Sequence, residues 1–139
     1  MDLSKIIDIE NISLKDTKDI DEKYIQEYIA KVLDSLIFFL KSSDPYRIIL
    51  FGSYAKGNPN ENSDIDLMVI LDNNHVSKTY EERLNKKIAI RNLLLEINRK
   101  IPLDLLVYSK EELKLIKNRG NYFIDEIERT GKIIYEKAS

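Results

Sequence analysis

Three acids and one glycine–serine pair stand where they could do chemistry. Asp64 and Asp66 open the segment Asp64–Leu71, and Leu67, Met68, Val69, Ile70 and Leu71 follow them. In a strand, residues two apart point to the same face. The two carboxylates would therefore lie side by side at the start of a strand apolar on both faces, a central one. Two like charges there repel and resist desolvation. Mg2+ bound through one or two carboxylates plus substrate phosphates would compensate them. A strand end emerging into water could carry the same acids without cost, so the pair alone does not decide. Asp104 is again a lone acid in an apolar run, Pro102 to Tyr108. If that run pairs beside the other strand, Asp104 completes a three-carboxylate cluster. Gly52-Ser53 directly follows Ile48-Ile49-Leu50-Phe51. Glycine lets the chain turn sharply and approach a ligand closely, and a helix start or nest there would aim N–H groups at an anion. An ordinary strand-to-helix turn reads the same way.

The elements that must position these residues follow from periodicity. From Tyr24 to Leu40, Ile25, Tyr28, Ile29, Val32, Leu33, Leu36 and Phe39 fall at steps of three and four, which predicts an amphipathic helix. Asp19 or Asp21 could cap it, and Ser42-Ser43-Asp44-Pro45 ends it. Tyr46–Phe51, Asp64–Leu71, Pro102–Tyr108 and Lys132–Tyr135 read as strands. Ser77–Asn98 reads as one long helix. Ser109-Lys110-Glu111-Glu112 is a capping box opening another helix, and Phe123–Ile127 adds a helical turn or two. The expected fold is α/β (α+β): a small mixed sheet of about four strands flanked by helices. Residues 1–20 form an N-terminal extension, with Ile6–Ile9 open between strand and helix, and residues 21–139 form the domain.

Composition narrows the classes. The chain has 139 residues, 43% of them hydrophobic and 33% charged, which suits one globular domain with a core. There is no Cys, so thiol nucleophiles, disulfide scaffolds and Cys-based zinc sites are excluded. The single His75 excludes zinc motifs that need two, and its polar surroundings argue against a Ser-His-Asp triad. The first 30 residues carry 8 acids and 4 bases, whereas residues 78–119 carry 11 bases and 6 acids. That basic stretch reads as a solvated helix face that could draw phosphates, but it is too diluted by Glu for a nucleic-acid groove. No apolar run approaches the roughly 20 residues of a membrane span and no signal peptide is visible. A cytoplasmic protein without membrane or nucleic-acid partners is expected.

Taken together, Gly52-Ser53, Gly57, Ser63-Asp64-Ile65-Asp66-Leu67 and Asp104 resemble the minimal nucleotidyltransferases of the DNA polymerase beta superfamily. That pattern is an apolar strand, Gly-Ser, about ten residues, Asp-x-Asp and a later third acid. Ser53 to Asp64 is eleven positions here, and Lys56 stands where the family often has Arg. The ending, Ile127 to Glu136, resembles the family's closing helix and strand, so the resemblance runs from about residue 22 to the C-terminus. It implies transfer of a nucleotide, AMP from ATP, onto a hydroxyl with two Mg2+ ions. Asp64, Asp66 and Asp104 would be the catalytic, metal-binding acids. Gly52, Ser53, Lys56 and Ser63 would bind the nucleotide, and one or more of Lys86, Lys87 and Arg91 could neutralise the triphosphate. Stand-alone cores of this kind are often antitoxins that adenylylate a tyrosine of a HEPN-type toxin, so a hetero-oligomer with such a toxin is expected. The alternatives are transfer to a small molecule such as an aminoglycoside, and a non-catalytic antitoxin that neutralises by contact.

Overall fold

The computed structural model describes residues 22–138; the expected N-terminal extension and the cap at Asp19 or Asp21 lie outside the described residues. Helix α1, Glu22–Leu40, buries Tyr28, Ile29, Val32 and Leu36 of the stripe read from the sequence, together with Ser35 and Leu40, while Ile25, Leu33 and Phe39 of that stripe are half-buried. A turn of 3-10 helix, Lys41–Ser43, and a left-handed Asp44 hand the chain to β1, Pro45–Phe51. The short helix α2, Ser53–Lys56, follows, then β2, Ile65–Leu71. The chain crosses over through α3, Tyr80–Leu93, and α4, Leu95–Asn98, to β3, Leu103–Ser109. Helices α5, Lys110–Arg119, and α6, Tyr122–Thr130, precede the last strand, β4, Lys132–Glu136.

The sheet is mixed, in the order β3-β2-β1-β4. Strand β1 runs antiparallel to β2 and β4, and β2 runs parallel to β3. A parallel pair needs a crossover connection, usually helical, which is what α3 and α4 supply. Both faces of β2 are covered. Ile65, Leu67 and Val69 join Ile48, Leu50 and Leu105 against α1 and against Ile90, Leu94 and Ile97 of the crossover. Met68 and Ile70 join Ile49 against Leu113 of α5 and Ile124 and Ile127 of α6. Strand β4 can lie close to β1 because Gly131 has no side chain: a Cβ there would stand 2.5 Å from the Ile127 carbonyl oxygen and 2.7 Å from Ile49 Cγ2.

The helix expected over Ser77–Asn98 is shorter and interrupted. Thr79 caps it by accepting from the Glu82 N–H at 3.1 Å, and at Leu94 the N–H turns to the Arg91 carbonyl, three residues back, which breaks the regular ladder. The capping box of α5 is present in both directions: Ser109 Oγ accepts from the Glu112 N–H, and Glu112 Oε1 accepts from the Ser109 N–H. No helix among the described residues is long and apolar enough to cross a membrane.

Candidate active site

The sheet order brings the three sequence-marked acids to one end. Strand β1 ends where β2 begins, so Phe51 lies across from Asp66. Strands β2 and β3 begin together, so Asp66 lies beside Asp104. The Ile65 N–H donates to the Pro102 carbonyl at 2.9 Å and pins the two strand starts side by side. Asp64 stands one residue before β2, exposed, whereas Asp66 is half-buried. Burial raises the Asp66 carboxyl above the usual carboxylate range, and the charges of Asp104 and then Asp64 add to it.

Gly52 is built into this geometry. Its φ of 76° and ψ of −157° belong to a region essentially restricted to glycine. A Cβ at this position would collide with Asp66 Oδ2. The Asp66 carboxylate thus lies directly against the turn backbone. Gly52 offers no side-chain cap to the first turn of α2, which begins at Ser53. The turn closes through Lys56 N–H to Gly52 O at 3.2 Å and Asn58 N–H to Ser53 O at 3.1 Å. Ser63 Oγ accepts from the Asn60 N–H at 2.8 Å within the loop leading to Asp64. Lys56 is exposed at the end of α2 and makes no ion pair among the described residues.

The two ends of the sheet treat carboxylates in opposite ways. At the far end, Lys137 Nζ lies 2.7 Å from Asp72 Oδ2 and 2.9 Å from Asp44 Oδ1, and Lys110 Nζ lies 3.3 Å from Asp72 Oδ1. Hydrogen bonds from Lys137 and Lys110 hold the Asp72 carboxyl below its ordinary range. At the near end, no Lys or Arg among the described residues pairs with Asp64, Asp66 or Asp104. Nor does any set of three or more His, Asp or Glu side chains among the described residues stand converged as a ready-made metal cage. The donor set nevertheless fits Mg2+, which takes hard oxygen ligands, uses one or two carboxylates and fills its shell with water and phosphate. The uncompensated charge is the feature such a cation would relieve.

Of the bases considered for the triphosphate, Lys86 is committed elsewhere. It is paired with Glu112, both largely buried. Glu112 also accepts from the N–H groups of Ser77 and Ser109. Burial pushes its carboxyl up, but these partners outweigh it and hold it at about 2. Because Ser109 ends β3 and Asp104 is near its start, this knot lies about 16 Å along the strand from the acids at roughly 3.3 Å per residue. Lys87 and Arg91 sit on the same helix, α3.

Two features escaped the sequence reading. Tyr54, on α2, is 3% exposed, and its hydroxyl lies 3.4 Å from that of Tyr28 on α1. Burial, the Tyr28 hydroxyl and the charge of Asp64 all raise the Tyr54 hydroxyl above its ordinary value. The pair ties the turn to α1; its only advance signal was Tyr28 in the apolar stripe. The second is an aromatic contact, Phe51 against Phe123 at the start of α6, with ring centroids 6.2 Å apart and planes at 85°.

The family model described as "Polymerase beta, Nucleotidyltransferase" matches residues 34–139. Two proposed protein adenylyltransferases of Methanocaldococcus jannaschii are similar. One is 30% identical, with 78% of this chain and 85% of that protein covered. The other is 35% identical, with 61% of this chain and 74% of that protein covered. Among solved structures, a toxin-antitoxin crystallised with AMP-PNP aligns at a TM-score of 0.49, with 21% identity over 76% of this chain and 73% of that one. A proposed nucleotidyltransferase from Sulfolobus solfataricus aligns at 0.47, with 14% identity over 86% of this chain and 92% of that one.

Proposed function

The chain belongs to the polymerase beta nucleotidyltransferase family, and on that premise we propose that it transfers AMP from ATP onto a hydroxyl of a partner protein. The observation that carries this reading is the cluster of uncompensated acids, Asp64, Asp66 and Asp104, beside the Gly52 turn. The names of both similar Methanocaldococcus jannaschii proteins point to a protein acceptor. The sequence resemblance to antitoxins specifies it further as a tyrosine of a HEPN-type toxin, held in a cytoplasmic hetero-oligomer.

In this reaction the acceptor oxygen forms a bond to the α-phosphorus of ATP, the bond from that phosphorus to the bridging oxygen breaks, and pyrophosphate leaves. Asp104, exposed at the start of β3, takes the acceptor proton. The Ser53 hydroxyl and the N–H groups of the first turn of α2 hold the terminal phosphates. Lys56 offsets their charge, and Ser63 keeps the loop before Asp64 in shape. Mg2+ ions held by Asp64, Asp66 and Asp104 would supply neutralisation of the charge gathering on the attacking and leaving oxygens.

The test is transfer from α-labelled ATP with Mg2+ into a lysate of the native host, separated into protein, RNA and small-molecule fractions, with Asp64→Asn as the blank. A labelled protein band absent from the blank supports the proposal and identifies the partner. Label confined to small molecules or RNA overturns the protein acceptor but keeps the chemistry. Near wild-type turnover by Asp64→Asn overturns the role of the acids.

A further inference from the structure

We propose that Phe123 is the platform on which the nucleobase of the bound nucleotide stacks, an inference that rests on the nucleotide-transfer reading above. The last residue of β1, Phe51, precedes the Gly52-Ser53 turn and lies across from Asp66. Side chains alternate along strands, so Phe51 shares a sheet face with Ile49. By the same alternation, Asp66 shares that face with Met68 and Ile70, and Asp104 shares it with Leu106. These apolar residues form the cluster covered by α5 and α6. The carboxylates and the Phe51 ring therefore belong to one face at one end of the sheet.

Helix α6 begins at this end. Asn121 caps it, its Oδ1 accepting from the Ile124 N–H at 3.0 Å, and Ile124 and Ile127 anchor it in the core. Phe123 is one step round the helix from Ile124. It meets Phe51 in a perpendicular contact at 6.2 Å, yet 55% of its surface is open. Phe123 is thus a large apolar ring held by Phe51 and left mostly in solvent, at the end of the sheet that carries the acids. Its chemistry suits a flat aromatic ligand: every nucleobase has a π face, and stacking needs no hydrogen-bond readout.

The strand order decides which ligand. Across β3-β2-β1, Asp104 marks one side of the site, and the phosphate-holding turn together with Phe51 marks the other. Phe123, propped on Phe51, thus stands on the nucleotide side of Asp66, and the acceptor approaches from the Asp104 side.

The test compares ATP with inorganic tripolyphosphate, which carries the phosphates without the base, both titrated calorimetrically with Mg2+ into wild type, Phe123→Leu and Phe123→Tyr. Phe123→Leu should weaken ATP about tenfold, the scale of one base–aromatic stack, and leave tripolyphosphate unchanged; Phe123→Tyr should restore ATP affinity. Unchanged ATP affinity in Phe123→Leu overturns the proposal, as does an equal loss for both ligands, which would mark a structural role. If the variant binds both ligands as wild type does but needs more acceptor for half-maximal transfer, Phe123 holds the acceptor and the proposal fails. If wild type binds neither ligand, the nucleotide-transfer reading itself fails, an outcome separate from any behaviour of the variants.

Discussion

Gly52→Ala tests whether the turn and Asp66 are one device. The new methyl would fall on Asp66 Oδ2, and the backbone at this position has φ 76° and ψ −157°. Holding a non-glycine residue there costs about 1–3 kcal/mol. Escape from the collision requires Asp66 to leave its rotamer, at about 0.5–1.5 kcal/mol, or the turn to move away from the strand end. The combined loss, about 1.5–4.5 kcal/mol, is tolerable for a domain with roughly 5–15 kcal/mol of stability. Both escapes displace a carboxylate from the turn that holds the phosphates, and a misplacement of about 1 Å costs about 100-fold in rate. The expected result is a folded protein with a lower urea midpoint and at least about 100-fold slower transfer. Gly120→Ala is the control, because Gly120 also has positive φ, 81°, but nothing lies within 4 Å of the added methyl. It should lose stability to backbone strain alone and keep its turnover. Urea unfolding followed by far-UV circular dichroism, together with transfer from α-labelled ATP, reads both quantities. If Gly52→Ala transfers within about threefold of wild type, the contact between turn and carboxylate has no part in catalysis.

Glu112 is held at about 2 against an ordinary 4.5, so its contribution is complete above about pH 4.5 and is lost as pH falls toward 2. Urea midpoints of wild type should fall across that window and those of Glu112→Gln should change less; parallel curves would refute it. Lys86→Met leaves the Glu112 carboxylate without its cation and should cost about 3 kcal/mol, with ATP affinity measured by calorimetry unchanged. A weakened ATP affinity at unaltered stability would instead return Lys86 to the phosphate site. Gly131→Ala forces a methyl against the Ile127 carbonyl and Ile49, and thermal unfolding should show a loss of about 1–3 kcal/mol. Asp66→Asn removes a charge that burial and two acids disfavour. Without divalent metal its melting temperature should equal or exceed that of wild type, while transfer is abolished; a fall in melting temperature would refute the reasoning.

Local patterns carried most of the elements into the sequence reading. The stripe in α1, the apolar runs of the strands and the capping box at Ser109 each depend on neighbours within a few residues, and each stands within one to three residues of its expected place. The break at Leu94 left no such mark, since neither Gly nor Pro stands there. The acids were visible as oddities within apolar strands, but their meeting depends on strand order, which no single segment contains. Gly52 could be read as a flexible turn; that its missing side chain makes room for Asp66 could not, because the two are fourteen positions apart. Lys86 shows the converse. A lysine on a basic helix reads as available for phosphate until the fold places the buried Glu112 against it.

The parallel pairing of β2 and β3 also sets when the site comes into existence. Asp66 and the Gly52 turn meet across an antiparallel pair joined by a short connection, a contact that closes early and at little entropic cost. Asp104 lies 38 positions beyond Asp66 and takes its place only after the whole crossover has been made and docked, a slow class of contact. During synthesis the turn and two of the acids can therefore assemble on a nascent chain that still lacks its third acid. Such a chain lacks Phe123 as well as Asp104, so neither the base platform nor the group that takes the acceptor proton is yet in place. Activity in this sense reports that the crossover has closed and docked.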